Sequence, residues 1–100
     1  MILEAVHWNI KEGQENEFEL AFARAQEFLV SMKGYVSHRF QKCIENPKRY
    51  LLLVEWEKLE DHTEGFQKSD KYRDYKALIT PHIELGTSLE HFNTVCKNAL

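Results

Sequence analysis

Cysteine, proline and glycine are all scarce in this chain, long apolar runs are few, and cationic charge is outnumbered by anionic. The two cysteines, Cys43 and Cys96, lie far apart and form no C-x-x-C pair. They could make one disulfide, but no secretory segment points to an oxidising compartment. Two prolines and four glycines sit singly, where they punctuate elements, so there is no linker, repeat or low-complexity stretch. The apolar start Met1-Ile2-Leu3 is cut by Glu4, which reads as neither a signal peptide nor a membrane span. A cytoplasmic chain with reduced thiols is the expectation. Thirteen Lys and Arg against 16 Asp and Glu leave a net charge of −3, which argues against nucleic acid as a partner. One hundred residues exclude a Rossmann unit, a long catalytic loop and a second core.

What is present is aromatic. Six Phe, four Tyr and two Trp are a large bulky load for a chain whose apolar share is 43%. That share is ordinary for a globular domain and too high for a disordered one. A chain of this length buries only about 65% of the surface its unfolded form exposes, so a partner subunit would add stability.

The chain divides into segments of differing period. Residues 2–10 alternate, with Ile2, Glu4, Val6, Trp8 and Ile10 on one face and Leu3, Ala5, His7 and Asn9 on the other. Residues 14–32 carry Phe18, Phe22, Ala25 and Leu29 at helical spacing, and Gly34 ends that helix. Tyr35–Lys42 reads as a second strand with Val36, His38 and Phe40 on one face. Glu45-Asn46-Pro47-Lys48 turns the chain into a third strand, Arg49–Glu57. Its centre, Tyr50 to Val54, has no polar side, so burial on both faces is expected. A short polar helix spans Leu59–Phe66. Ser69 caps a further helix, with Tyr72, Tyr75, Leu78 and Ile79 inward and Pro81 beyond its end. Ile83–Val95, with Leu85, Thr87 and Leu89 alternating, reads as a fourth strand. The order β-α-β-β-α(α)-β is an α+β, ferredoxin-like split unit in one domain over residues 1–100. Four antiparallel strands with helices on one face leave the other face to be covered, which predicts a homodimer through the sheet.

The run Trp56-Glu57-Lys58-Leu59-Glu60-Asp61-His62-Thr63-Glu64-Gly65-Phe66-Gln67-Lys68-Ser69 resembles the antibiotic biosynthesis monooxygenase domain family. So do Glu12-Gly13 before an acidic, Phe-containing helix, and Met32-Lys33-Gly34-Tyr35 before the second strand. The resemblance covers essentially the whole chain and implies a dimeric α/β barrel of two ferredoxin-like protomers. It implies oxidation of aromatic polyketides or quinols, or degradation of haem, generally without flavin or permanent metal, at a site between sheet and helices. Lys76 stands where the haem-degrading branch has its ligating His, Val6 near its first-strand Asn, and Phe66 near its Trp. Those departures point away from haem. The expected activity is cofactor-independent monooxygenation of a phenolic, quinol or polyketide-like molecule. The alternatives are a non-catalytic dimer that binds a small hydrophobic molecule, and a stress-related dimer with a closed cavity.

Oxygenation without a cofactor needs a base near neutrality, a donor for a phenolate oxygen and an apolar pocket. His62 and His38 are the candidate bases, because unperturbed imidazole titrates at about 6.5. Glu60 and Asp61 before His62 would raise it, while a surface helix position, or a ring packed on Trp56, is the plainer reading. His38 beside Val36 and Phe40 equally suits a buried structural role. Tyr72 is the candidate donor, and Trp8, Phe22, Trp56, Phe66 and Tyr75 are candidate substrate-binding residues that could equally be core. His7 and Asn9 fit an interface, His91 the end of the last strand, and His82 a loop. No metal site is expected, because no histidines stand at i, i+4 on a helix and no His-x-His occurs.

Overall fold

The computed structural model, which describes residues 1–84 and 86–99, turns the first alternating segment into strand β1 (Ile2–Asn9). Helix α1 (Glu15–Val30) buries Phe18, Phe22, Ala25 and Leu29, the four positions set by its helical spacing, and carries Glu15 and Glu17 in its first turn. Gly34 then takes φ +85° and lets the chain reverse into β2 (Tyr35–Lys42). Its carbonyl accepts a hydrogen bond from the Glu57 amide at 2.8 Å. β3 (Arg49–Trp56) completes the hairpin. After it come a π-helical turn (Asp61–Phe66), α2 (Asp70–Ile79), a 3₁₀ turn (Thr80–His82) containing Pro81, and β4 (Ser88–Asn93).

The strands lie in the order β2-β3-β1-β4, and every neighbouring pair is antiparallel. This is the ferredoxin-like arrangement, with both helices on one face. The core lies between them, where Val6, Trp8, Leu52, Val54 and Trp56 of the sheet meet Phe18, Phe22, Leu29 and Ile79 of the helices. Much of it is aromatic. Phe22 stacks on Phe40 with ring centroids 4.1 Å apart, Phe40 stacks on Tyr50 at 5.2 Å, and Phe18 meets Trp8 edge-on at 5.4 Å. Each such pair contributes about 0.5–1.5 kcal/mol beyond its buried area.

Three local expectations are corrected. Val36 does not share a face with His38, because the register against β3 shifts between Tyr35 and Ser37. This bulge puts Tyr35, His38 and Phe40 toward the helices and leaves Val36 exposed. The centre of β3 is buried on one face only: Tyr50, Leu52 and Val54 are buried, whereas Leu51 and Leu53 are half-buried on the open face. The last strand begins at Ser88 rather than Ile83. Ile83 instead makes a single bridge to Ile10, and Leu85 lies outside the described residues.

Candidate functional site

A cavity of about 400 Å³ lies between the β1–β4 half of the sheet and α2, within the size range of small-molecule sites. Val6, Trp8, Leu52 and Leu89 form its sheet wall, and Leu29, Phe66, Tyr72, Tyr75 and Ile79 its helix wall. Lys76, Thr80, Glu84, Gly86 and Thr87 also line it. One carboxyl reaches this apolar space from the sheet, that of Glu4. Glu4 is only 5% exposed, and burial pushes its pKa from the ordinary 4.5 to about 7, against the lowering effect of a hydrogen bond from Trp56. At roughly 1.4 kcal/mol per unit, that is a bias of order 3 kcal/mol toward the neutral acid. A carboxyl poised near neutrality beside an apolar cavity can accept or return a proton at physiological pH.

Two side chains contact that carboxyl, and a third stands behind them. Trp56 Nε1 donates to Glu4 Oε1 at 2.9 Å. His62 Nε2 faces Glu4 Oε2 at 3.4 Å. The ring of His62 in turn lies with Nδ1 2.8 Å from Nε2 of His91. The β1–β4 register sets Glu4 directly opposite His91, so both point into the helix layer. The π-helical turn supplies His62 and Phe66. Its closing hydrogen bond, from the Gln67 amide to the His62 carbonyl, spans five residues, and both side chains turn inward onto Trp56. Ser69 fixes the start of α2: its hydroxyl accepts from the Tyr72 amide at 3.1 Å and donates to the Phe66 carbonyl at 2.7 Å. This cap places Tyr72 over Phe66, with ring centroids 5.1 Å apart.

Of the residues picked from sequence, Trp8, Phe66, Tyr72 and Tyr75 line the cavity. Phe22 packs in the filled aromatic cluster with Phe40, and Trp56 sits behind the cavity as the donor to Glu4. His62 is 1% exposed and stacked on Trp56 with centroids 5.4 Å apart, so it reaches the cavity through Glu4 and does not line it. Its expected upward shift is reversed. Burial, with His91 adding, lowers its pKa to about 4, because its surroundings withhold solvent from the charged ring. His38 lies on the β2 side outside the cavity, held between Tyr35 Oη at 2.5 Å and Gln26 Oε1 at 3.0 Å, with burial lowering its pKa. His91 is no strand-end cap but a central residue of β4. His82 contacts Gln14 Oε1 through Nδ1 at 3.0 Å.

Both cavity phenols stay protonated at neutral pH. Burial raises Tyr72 and Tyr75, and the nearby Glu4 charge adds to each shift. They are therefore hydrogen-bond donors. Among the described residues no group of three His, Cys, Asp or Glu is arranged to hold a metal ion. No helix among them is long and apolar enough to cross a membrane.

Sequence reasoning missed Glu4 and undervalued His91. The signal for Glu4 was present: a lone carboxylate on the strand face that also carries Ile2, Val6, Trp8 and Ile10. A charge in such company must be partnered or neutralised.

Comparison with known proteins agrees with this architecture. The family model for antibiotic biosynthesis monooxygenases matches residues 1–78. The uncharacterised protein YczJ of Bacillus subtilis is 50% identical over 95 residues, covering 95% of this chain and all of that protein. Among solved structures, a Bordetella bronchiseptica protein named for the same family superposes with a TM-score of 0.90 at 25% identity, over 95% of this chain and 97% of its own. SnoaB, a cofactor-independent oxygenase from Streptomyces nogalater, superposes with a TM-score of 0.84 at 14% identity, over 96% of this chain and 94% of its own, a likeness of fold. The chain belongs to the antibiotic biosynthesis monooxygenase family.

Proposed function

We propose that this protein is a cofactor-independent monooxygenase that oxidises a phenolic, quinol or polyketide-like molecule held in the cavity against α2. The observation that carries the reading is the Glu4 carboxyl, buried beside a largely apolar, aromatic-walled space and titrating at about 7. Family membership supports a monooxygenase-like role in general.

Glu4 takes the role of base that the sequence pattern offered to His38 and His62. In its ionised form it removes a proton from an acidic CH₂ or phenolic OH of the substrate, and Tyr72 donates to the oxyanion that forms. The substrate anion passes one electron to O₂, and the substrate radical and superoxide combine at carbon. The resulting peroxide recovers the proton from Glu4, then loses water to leave a carbonyl. For a CH₂ centre the balance is one substrate and one O₂ giving one ketone and one water. Trp8, Phe66 and Tyr75 supply flat apolar walls for a fused-ring substrate. Lys76, with Nζ 5.5 Å from the Tyr72 ring centroid, adds a cation beside that ring.

The working unit in this reading is a homodimer joined through the open sheet face, where Leu3, Ala5, Leu51, Leu53 and Phe92 stand together. Oxygen uptake with a panel of hydroquinones and anthrones tests the activity, and acceleration over buffer with at least one of them is expected. Ligand-induced quenching of Trp8 fluorescence with no acceleration across the panel would select the non-catalytic binding protein instead.

A further inference from the structure

The base proposed above has a neighbour chain that the reaction itself does not use. Glu4 contacts His62, and His62 contacts His91. Glu4 and His62 are both buried, whereas His91 is half-exposed on the edge strand β4. The carboxyl and the two rings thus run from the cavity to the protein surface by a route that does not pass through the cavity mouth.

We propose that Glu4, His62 and His91 form a back-door proton path joining the cavity to solvent. The proposal rests on the reading of Glu4 as the base. An apolar substrate that fills the cavity displaces the water beside Glu4. A carboxyl that titrates near neutrality is protonated in a substantial fraction of molecules at that moment. Such molecules are inert until the proton leaves, and with the mouth blocked the histidines offer the exit. The proton on Glu4 Oε2 passes to the bare Nε2 of His62. The Nδ1 proton of His62 passes to Nε2 of His91, and the Nδ1 proton of His91 passes to water. One proton enters the chain and one leaves, no electron moves, and both rings exchange tautomer.

Further side chains face Glu4 and the cavity from β3 and α2. Trp56 donates to the carboxyl from β3 and stacks on the ring of His62. Tyr72 and Tyr75 on α2 feel the Glu4 charge and hold their own protons. Lys76 is the cation on the α2 side of the cavity. Burial disfavours a charged His62, so hopping through neutral tautomers is easier than passing through an imidazolium.

Nuclear magnetic resonance of the full chain, with ¹⁵N-labelled histidine and ¹³C-carboxyl glutamate, tests this between pH 5 and 9 without any substrate. In the wild type the Nδ1 and Nε2 resonances of both His62 and His91 should exchange protonated and bare positions as the Glu4 carboxyl titrates. Glu4→Gln should abolish that exchange in both rings while leaving their hydrogen bond. A His91 ring that keeps one tautomer while Glu4 titrates overturns the path, and so does an exchange that persists in Glu4→Gln. The wild-type titration decides alone if the variant does not fold. Because no substrate is present, failure of oxygen uptake leaves this result standing, and failure here leaves the oxygenase reading with proton exchange through the mouth.

Discussion

Glu4 binds its proton more tightly in the folded chain than in the unfolded one, because burial favours the neutral carboxyl. Between 4.5 and about 7 the native state therefore holds more protons than the unfolded state, and stability falls as pH rises through that window. His62 acts in the opposite sense. Its pKa drops from 6.5 to about 4, so its contribution is lost as pH falls between those values. Where the windows overlap the two slopes oppose each other, and the wild type should be nearly flat. Glu4→Gln removes only the first slope. Relative to wild type it should gain stability between pH 5 and 7 by roughly 1.4 kcal/mol per unit at most, read from urea midpoints at several pH values. A difference that stays constant with pH would mean that Glu4 is not perturbed. The candidate donor Tyr72 and the walls Trp8 and Tyr75 were legible from inward helical and strand spacing. The pairing of Glu4 with His62 and His91 was not, because it joins residues distant in sequence through strand register.

The elements differ in how plainly their sequences declare them. α1 was legible in Phe18, Phe22, Ala25 and Leu29, and α2 in Ser69 followed by Tyr72 and Tyr75. The π-helical turn was not, because its five-residue hydrogen bond leaves no separate mark in residue spacing. The start of β4 was misplaced because Leu85, Thr87 and Leu89 alternate in sequence like a strand, whereas the pairing begins only at Ser88. Two substitutions test the elements that hold the site. Ser69→Ala removes the acceptor for the Tyr72 amide and should cost about 1 kcal/mol in chemical denaturation. An unchanged midpoint would show that the cap is idle. At Gly34 a Cβ would overlap the Asp61 carboxyl, and φ is already +85°. Gly34→Ala should therefore destabilise by more than the roughly 1 kcal/mol of left-handed strain alone, because the π-helical turn carrying His62 must move as well.

At the scale of the whole molecule, the sheet order followed from the β-α-β-β-α-β pattern, and the open face followed from having helices on one side only. Leu51 and Leu53 on that face remain half-exposed in the single chain. If a second copy covers them, light scattering should give twice the 11.9 kDa chain mass. Leu53→Glu should return it to one, with the secondary structure retained. A wild-type mass of one chain would remove the dimer. On the other side of the sheet, the role of Glu4 as base is decided by the pH dependence of oxygen uptake in wild type and Glu4→Gln, using a hydroquinone or anthrone that the wild type oxidises. The wild-type rate should rise with pH through about 7, as Glu4 ionises, and Glu4→Gln should lower it by about 100-fold or more while remaining folded. A folded Glu4→Gln protein that oxidises the same substrate at the wild-type rate, with the same pH profile, would contradict it.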